Sequence, residues 1–474
     1  MEGSGPSSPP PHALPPPEAR GRTREVLHLA WPAVINMISI TLLGTADTIL
    51  MGRVGTEAQA GVGIAMTFLF TVMCFFLGIL DMVQTFVARA TGRGDAGKAA
   101  AYGSAGFHLA LLFSIPTALT AFGSDYFFEL LGTTPEIIPA ASAYFRIRMI
   151  GCVFFYLSRT SDAWFRGIGD TRTPMFVTVA ENALNVGISL VLILGWERAG
   201  IPAMGARGAA LGTVIATAAH TLANALIAAR MRARGRPSPA YFVRSRLDYL
   251  RKTVRVGFPS GIHWLLDVGA WTVFTFTVAS MGPTPVAANL IALTVVRAAF
   301  MPGYGIGTAG QTLVGKYLGA GDDDSAERAG WATVRVGAVY MAFMGVIFLT
   351  FRTPLVALFN GDPEVISLGA RLLLWGAVFQ LGDGVCVTLN GALRGAGDTR
   401  FVMKAGILTS WLFFLPVTLV LIHVFGLGVE GGWIGICAWV FSQAILFARR
   451  FQGGAWKRVL RVEEPRPVPE AEVV

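Results

Sequence analysis

The chain has 474 residues, of which 53% are hydrophobic and only 14% are charged, and its formal net charge is +9. Soluble domains have about a quarter of their residues charged, so this composition excludes a soluble enzyme or binding domain and indicates a membrane-spanning protein. Basic loops facing anionic lipid account for the net charge, and we expect no nucleic-acid partner.

The first 24 residues are rich in Pro, Gly and Ser and contain no apolar run, so we expect a disordered tail rather than a signal peptide. Apolar stretches of about 20 residues then follow along nearly the whole chain, and each is long enough to cross a bilayer. The sequence predicts twelve spans, at about residues 27–52, 58–84, 97–122, 140–165, 172–195, 205–230, 254–281, 285–312, 329–352, 366–392, 401–425 and 430–450.

Basic residues concentrate in the loops after the even-numbered spans, whereas the loop after span 3 carries three acids and no base. The positive-inside rule then places both termini in the cytoplasm. All four cysteines fall inside predicted spans without metal-like spacing, which favours free thiols over disulfides or a metal site. The predicted organisation is a cytoplasmic tail, an N-lobe with spans 1–6, a linker, a C-lobe with spans 7–12 and a second tail, at residues 1–24, 25–235, 236–250, 251–455 and 456–474.

Two long motifs occur twice. RGIGDTR at residues 166–172 returns as RGAGDTR at 394–400, and VQTFVARATGRGD at 83–95 aligns with GQTLVGKYLGAGD at 310–322. Because each unit holds an even number of spans, the repeats are parallel and related by a pseudo-twofold axis along the membrane normal. We therefore predict an all-α membrane protein, with twelve transmembrane helices in two six-helix lobes around a central cleft.

The RGxGDTR loops are predicted to be hinges between the lobes. Glycine permits a tight turn, and an aspartate can accept backbone N–H bonds at the start of the following helix. A phosphate-binding role is disfavoured because the motif is not GxxxxGK[ST] and no βαβ unit surrounds it. The hinge residues are Gly167, Gly169, Asp170, Gly395, Gly397 and Asp398.

The two RGxGDTR loops, ADTILMGRVG in span 1 and PVAANLIALTV leading into GQTLVGKYLGAGD resemble the multidrug and toxic compound extrusion (MATE) family over residues 25–450. This resemblance implies a lipid-embedded antiporter, not an enzyme, which exports small organic, often cationic, compounds while H⁺ or Na⁺ runs inward. It needs no cofactor beyond the coupling ion and no metal, and we expect it to function as a monomer. The Arg-rich, Lys-poor composition indicates a bacterial inner membrane.

The resemblance implies a coupling site in the N-lobe. Asp47 matches the first-span aspartate that the family uses for cation or proton coupling. Asn36 shares a helix face with Asp47 and is predicted to line the substrate cavity. A satisfied acid at a helix end is the alternative interpretation of Asp47.

Asn185 of span 5 matches a family asparagine, and Thr213 of span 6 matches a hydroxyl that completes the same site. Asp47, Asn185 and Thr213 are therefore predicted to form an oxygen cluster. The acid that many members carry one turn after the asparagine is Ser189 in this chain. Glu181, one turn before Asn185, is the predicted replacement carboxylate.

The C-lobe has its own predicted coupling acids. Asp267 matches a seventh-span acid that is usually Glu in the family, and Asp383 matches a tenth-span aspartate. His263 and Trp271 lie one turn on either side of Asp267, and Gln380 lies on the face of Asp383. We predict that these three line the substrate cavity, with a satisfied core histidine as the alternative for His263.

Two other classes of function remain open from the sequence. A flippase for lipid-linked saccharides can use the same twelve-span core, but it should present cleft arginines for pyrophosphate. A membrane-embedded enzyme would need clustered acids or a soluble lobe. A further acid, Asp81 in span 2, is predicted to contact water or Arg89 at the cytoplasmic end.

Overall fold

The computed structural model describes residues 21–239 and 246–460. Most of the first predicted tail, part of the linker and most of the second tail lie outside the described residues. Within the described part of the chain the structure is helical, and its only β-type pairing is an isolated bridge between Trp196 and Ile201. The all-α prediction is thus confirmed.

Helices of the N-lobe follow the predicted spans. Span 2 breaks at Asp81, and span 4 breaks at Gly151 into two helices that meet at 54°. The bounds of spans 1 to 6 are Thr23–Gly52, Thr56–Leu80 with Met82–Gly92, Ala96–Leu119, Ile138–Ile150 with Cys152–Ile168, Arg172–Leu194, and Ala206–Ala233. A 3₁₀ turn and a short helix, Thr120–Gly123 and Ser124–Leu130, extend span 3.

Helices of the C-lobe are longer. Span 11 contains a π-helix, Ile407–Phe414, between Thr399–Gly406 and Leu415–His423. The other bounds are Leu247–Ala279, Pro283–Gly319, Asp323–Ala357, Pro363–Ala396 and Gly428–Gln452, for spans 7, 8, 9, 10 and 12. Within residues 21–239 and 246–460, eleven spans are long and apolar enough to cross a membrane singly, and the bent pair of span 4 makes a twelfth when counted as one.

The second repeated motif explains how spans 2 and 8 end. In each repeat a glycine with positive φ, Gly94 at 73° and Gly321 at 77°, reverses the chain. The next residue caps the following helix: Asp95 accepts the N–H of Lys98 at 2.8 Å, and Asp322 accepts that of Ser325 at 2.9 Å. Identical caps 227 residues apart arise because the two lobes repeat one sequence pattern.

The lobes meet through contacts that occur twice with the partners exchanged. Gly78 of span 2 packs on the backbone of Gly261 in span 7, and Gly305 of span 8 packs on the backbone of Ala33 in span 1. A Cβ at Gly78 would lie 2.7 Å from the Cα of Gly261, and one at Gly305 would lie 3.0 Å from the carbonyl carbon of Ala33. Such exchanged contacts are what a pseudo-twofold axis between the halves requires.

The chain ends differ from the predicted boundaries. Span 1 begins at Thr23, inside the predicted tail, because Glu25 accepts the N–H of Gly21 at 3.0 Å and so ties down the first turn. After span 12 a 3₁₀ turn, Ala455–Arg458, carries Trp456 back onto Phe451, with ring centroids 4.5 Å apart. The other domain boundaries stay predictions.

Candidate functional site

Span 1 carries two predicted site residues. Asn36 is buried, and its Oδ1 has no hydrogen-bond partner among the described residues. The side chain of Asp47 lies outside the described residues. The shared helix face of Asn36 and Asp47 therefore stays a prediction.

Asn185 of span 5 is fully buried. Its Oδ1 accepts a hydrogen bond from Ser189 at 3.3 Å, and its amide nitrogen has no partner among the described residues. Thr213 donates instead to the carbonyl of Ala209 in its own helix, at 2.9 Å. The structure links Asn185 with Ser189, while the predicted oxygen cluster with Thr213 and Asp47 stays a prediction.

Glu181 is held by span 6 rather than by Asn185. Its Oε1 accepts a hydrogen bond from Thr217 at 2.9 Å, and its Oε2 lies 2.7 Å from Nδ1 of His220. The other ring nitrogen of His220 lies 3.0 Å from Oδ1 of Asp162 in span 4. One imidazole thus bridges two carboxylates from two different helices.

Arg159 completes this group of charges. Its guanidinium lies 3.8 Å from Glu181 and 3.9 Å from Asp162. His220 and Asp162 are fully buried, and the Arg159 side chain is 23% exposed. We call these four residues the His220 cluster.

Sequence reasoning missed His220 and Asp162. An ionisable residue inside an apolar span is a functional candidate by default, and His220 in TVIATAAHTLANAL meets that criterion. Asp162 is harder to recognise, since its neighbourhood, SRTSDAWFRG, has the polarity of a loop. The convergence of spans 4, 5 and 6 on one ring becomes visible only in three dimensions.

In the C-lobe the two predicted acids lie close enough to interact. Asp383 is 5% exposed, Asp267 is partly exposed, and the charge of Asp267 acts on Asp383. Among the described residues neither carboxylate has an ion-pair partner, and Oδ2 of Asp383 has no hydrogen-bond partner. The same holds for Nε2 of His263 and for both amide atoms of Gln380. Asp383, His263 and Gln380 thus have buried polar atoms without a hydrogen-bond partner among the described residues. Asp267, in the same lobe, has no ion-pair partner among them.

Trp271 lies in an aromatic cluster. Its ring centroid is 5.8 Å from that of Trp439, 6.0 Å from Phe274 and 6.3 Å from Phe414. These contacts are packing between spans 7, 11 and 12. Its predicted place in the substrate cavity stays a prediction.

The predicted hinge loops form similar turns with different caps. Gly169 and Gly397 end their helices with φ of 92° and 80°, which explains why glycine occupies both positions. Asp170 accepts the N–H groups of Arg172 and Thr173, as expected. Asp398 differs because its Oδ2 accepts Nε of Arg450 at 2.7 Å, and it makes no side-chain cap.

The other two hinge glycines allow close helix packing. A Cβ at Gly167 would lie 2.9 Å from the carbonyl oxygen of Gln84, and one at Gly395 would lie 2.9 Å from Cα of Gln311. Both positions are helical, so the requirement is space rather than backbone conformation. The repeated loops therefore bring spans 4 and 10 tightly against spans 2 and 8.

A polar junction joins the halves at the face where span 1 begins and span 12 ends, which we call the terminal face. Gln84 donates to Thr312 Oγ1 at 3.0 Å, and Gln311 donates to Thr85 Oγ1 at 3.1 Å. The two pairs are the same contact with the halves exchanged. The terminal-face junction comprises Asp81, Gln84, Thr85, Arg166, Thr308, Gln311, Thr312 and Arg394.

The arginines that open the two RGxGDTR motifs belong to this junction. The carbonyl of Arg166 accepts the hydroxyl of Thr312 at 3.1 Å, and that of Arg394 accepts the hydroxyl of Thr85 at 3.0 Å. Their guanidinium groups differ. Arg166 donates to Oε1 of Gln84 at 2.9 Å, whereas Arg394 pairs with Asp81 at 2.5 Å.

Asp81 corrects one expectation. The sequence predicts contact with water or Arg89, but Oδ2 of Asp81 accepts hydrogen bonds from the guanidinium of Arg394 and, at 3.2 Å, from the amide of Gln311. The equivalent residue in the C-lobe is Thr308. An acid without a duplicate therefore makes the junction electrostatically asymmetric.

A profile of the MatE family matches residues 32–191 and 259–420. The chain is 30% identical over 451 residues to a probable multidrug resistance protein, NorM, of Thermotoga maritima, over 94% of this chain and 95% of the relative.

Solved structures share the fold. A crystal structure of the eukaryotic MATE transporter AtDTX14 superposes with a TM-score of 0.84 at 18% identity, over 93% of this chain and 97% of the other. A multidrug resistance MATE family transporter in an outward-facing conformation gives a TM-score of 0.83 at 20% identity, over 92% and 97% of the chains. With the duplicated twelve-span fold and the profile match over both halves, the chain belongs to the MatE family of multidrug and toxic compound extrusion transporters.

Proposed function

We propose that the protein is a secondary active antiporter that exports small organic, cationic or lipophilic compounds in exchange for inward H⁺ or Na⁺. The bacterial relatives described as NorM multidrug resistance proteins support export of organic compounds. The unpaired acids of the C-lobe support coupling to a cation.

The pair of Asp267 and Asp383 carries this proposal. Two carboxylates that interact inside an apolar lobe without a cationic partner cannot both stay ionised at low cost. Each proton or cation that binds there removes a large unfavourable energy. Unpaired polar atoms on His263 and Gln380 in the same lobe offer further contacts for an ion or a substrate.

The terminal-face junction supports an outward-facing state. With both termini in the cytoplasm, as the basic loops predict, the junction closes the cytoplasmic side of the cleft. Within the described ranges, the hydrogen bonds that join the halves involve residues 21–25, 81–85, 166, 308–317 and 394. These bonds lie at the terminal face, which supports an exit for substrate on the opposite side.

The coupling follows from these two features. An ion that enters from outside neutralises the C-lobe carboxylates, which changes the helix packing and releases the substrate. The ion-loaded carrier then opens its terminal-face junction, releases the ion on the cytoplasmic side and loads the next substrate. One pH unit provides about 1.4 kcal/mol, enough for about a tenfold substrate gradient at one proton per substrate.

The test is ethidium efflux from proteoliposomes with an imposed pH gradient or an imposed Na⁺ gradient. We expect wild type to build a substrate gradient under one of them, and Asp383→Asn and Asp267→Asn to abolish it. Asp47→Asn tests the N-lobe in the same assay. Asp248→Asn is the matched control, because Asp248 lies on span 7 with Asp267 but is exposed.

The results of this efflux assay discriminate between the possible mechanisms. Efflux lost in both C-lobe variants supports coupling in that lobe, and the effective gradient identifies the ion. Unchanged export in both would remove these acids from the mechanism. No export by correctly inserted wild type under either gradient would contradict the proposed function and favour a flippase for a lipid-linked saccharide.

A further inference from the structure

We propose that the His220 cluster binds one proton, and that Arg166 transmits its occupancy to the terminal-face junction. This inference deepens the proposed function by naming the ligand of a site in the N-lobe that is separate from the C-lobe acids. It rests on that function for its role in transport. The first support for the proton site is the position of the His220 ring between two carboxylates.

Both nitrogens of His220 face carboxylate oxygens, at 2.7 Å from Glu181 and 3.0 Å from Asp162. A neutral imidazole has one N–H donor and one lone pair, so it can donate to only one of them. Both contacts are hydrogen bonds only if the ring is doubly protonated or if one carboxyl carries a proton. The cluster therefore holds one proton more than a neutral histidine between two carboxylates.

The charges of the cluster balance only with that proton. A protonated His220 and Arg159 supply two positive charges, and Glu181 and Asp162 supply two negative charges. Loss of the proton leaves one uncompensated negative charge among largely buried groups, which is unfavourable. A nearby cation is then drawn towards the carboxylates.

Arg166 lies where it can respond to the loss of this proton. It lies one helical turn from Asp162 on span 4, and its positive charge already acts on that carboxylate. Its guanidinium is meanwhile engaged at the junction, where Nε donates to Gln84 at 2.9 Å. Deprotonation of the cluster strengthens the pull of Asp162 on Arg166 and weakens the hold on Gln84, so the terminal-face junction opens.

The other charged groups around the cluster do not take over the proposed role of Arg166. From span 4, Arg146 pairs with Asp125 and Arg148 lies beside Cys152. Span 5 contributes Glu181, and span 6 contributes the uncharged Thr217 and Asn224 beside His220. Span 1, which also packs on spans 5 and 6, contributes Asp47, whose side chain lies outside the described residues.

Polar side chains connect the cluster with the span 1 side of the lobe. Asn185, one turn from Glu181 on span 5, bonds Ser189 at 3.3 Å, and Asn182 donates to Ser39 of span 1 at 2.6 Å. Oδ2 of Asp162 and Oδ1 of Asn224 are buried without a hydrogen-bond partner among the described residues. The cluster thus retains polar atoms that can accept an incoming proton or its water.

The experiment measures the proton and the junction in the same proteoliposomes, without substrate. Solid-state NMR of ¹⁵N-histidine-labelled protein reports the protonation of His220, assigned by its loss in His220→Gln. Distances between spin labels at Arg93 and Asp324, both at the terminal face, report the junction. His108→Gln is the matched control, because His108 contacts a backbone carbonyl of its own helix.

We expect the His220 signal to titrate between about pH 6 and 11, and the long-distance population to rise by up to about tenfold per pH unit with the same midpoint. His220→Gln and Arg166→Gln should make the distances independent of pH, and His108→Gln should not. A His220 that keeps one charge state over this range, or equal pH dependence in wild type and His220→Gln, would overturn the proposal.

Two safeguards keep the result decisive. Titration of the wild-type ring is informative even if His220→Gln fails to fold, and Glu181→Gln then tests the junction with the ring in place. Ethidium export is measured separately. Its absence in wild type with a titrating His220 contradicts the proposed function alone, whereas intact export with a non-titrating His220 contradicts the proton site alone.

Discussion

Gln380 is fully buried, and neither end of its amide has a hydrogen-bond partner among the described residues. A buried unpaired amide typically destabilises a fold by about 1–3 kcal/mol. Its presence beside Asp383 is consistent with a contact that forms only when an ion or a substrate is bound. Stability and transport then make opposite demands on this residue.

We therefore expect Gln380→Leu to raise the thermal stability of the purified protein and to lower ethidium efflux. Melting in detergent and efflux from proteoliposomes measure the two effects. Gln443→Leu is the control, since Gln443 is also buried but accepts the thiol of Cys386 at 3.1 Å. Equal stabilisation of both variants would show that the missing hydrogen bonds of Gln380 are not the cause of the effect.

The exchanged glycine contacts give a second prediction at this scale. A methyl group at Gly78 would meet Gly261 N and Ser260 O at 2.8 Å, and backbone cannot move aside as a side chain can. Overpacking of this kind costs about 1–3 kcal/mol. Gly78→Ala should thus destabilise the closed junction and lengthen the distance between spin labels at Arg93 and Asp324.

Gly63→Ala is the matched control for that substitution. Gly63 lies on the same helix, and a Cβ there would meet no atom within 4 Å. Alanine is favoured over glycine in a helix by about 1 kcal/mol, so this variant should be neutral or stabilising. Equal distance changes in the two variants would contradict a role for close packing at Gly78.

Among the elements, span 11 departs most from what the sequence predicted. An uninterrupted apolar run suggested one regular helix at about 401–425, but Ile407–Phe414 is a π-helix. The wider turn allows Nε1 of Trp411 to donate to the carbonyl of Leu266 in span 7 at 3.0 Å, with the ring over Gly269. Hydrophobicity cannot reveal a change of helix type here, because the run is apolar on all sides and fits either form.

Trp411→Phe tests this contact. The variant keeps an aromatic ring against Gly269 but loses the hydrogen bond to Leu266, so we expect a loss of stability of about 1 kcal/mol. Thermal unfolding in detergent measures it. Trp31→Phe, at an exposed tryptophan, should leave the melting temperature nearly unchanged, and a similar loss there would assign the effect to ring size alone.

The repeated loops show how far a motif can be interpreted from sequence. Their place between spans 4 and 5 and between spans 10 and 11, and the cap made by Asp170, were predicted correctly. The pairing of Asp398 with Arg450 was not, because it depends on where span 12 ends. The guanidinium groups of Arg166 and Arg394, which open the two motifs, lie on Gln84 and Asp81, and the motif itself does not indicate these partners.

For the whole molecule, the junction gives the clearest prediction. Asp81 and Arg394 form a largely buried ion pair, and removal of one partner of such a pair costs about 3–5 kcal/mol. Asp81→Asn should therefore shift the carrier towards opening at the terminal face. The distance between spin labels at Arg93 and Asp324 measures the shift.

Asp125→Asn is the control for Asp81→Asn. Asp125 also pairs with an arginine, Arg146, but both side chains are about half exposed, and exposed pairs are worth about 0–1 kcal/mol. We expect no change in the terminal-face distance. A distance that is also unchanged in Asp81→Asn would show that the asymmetric ion pair does not hold the junction closed.

The duplication was the part of the fold most accessible from sequence. Matching motifs at offsets of 227 and 228 residues predicted two lobes in parallel, and the glycine contacts at Gly78 and Gly305 agree with the implied axis. The acids Asp267 and Asp383 were predicted because they match acids of the family that the sequence resembles. The His220 cluster was not, since its members are scattered over spans 4, 5 and 6 and meet only after packing.

The junction formed by Gln84, Thr85, Gln311 and Thr312 is isologous, in the sense used for symmetric dimers: each half offers the same donor and the same acceptor to the other. A protein half as long, carrying one glutamine and one threonine at these positions, would already be complementary to a second copy of itself. The fused chain keeps this homodimer-like contact, while each half is free to differ elsewhere. Asp81, which has threonine as its counterpart, shows such a difference within the contact itself.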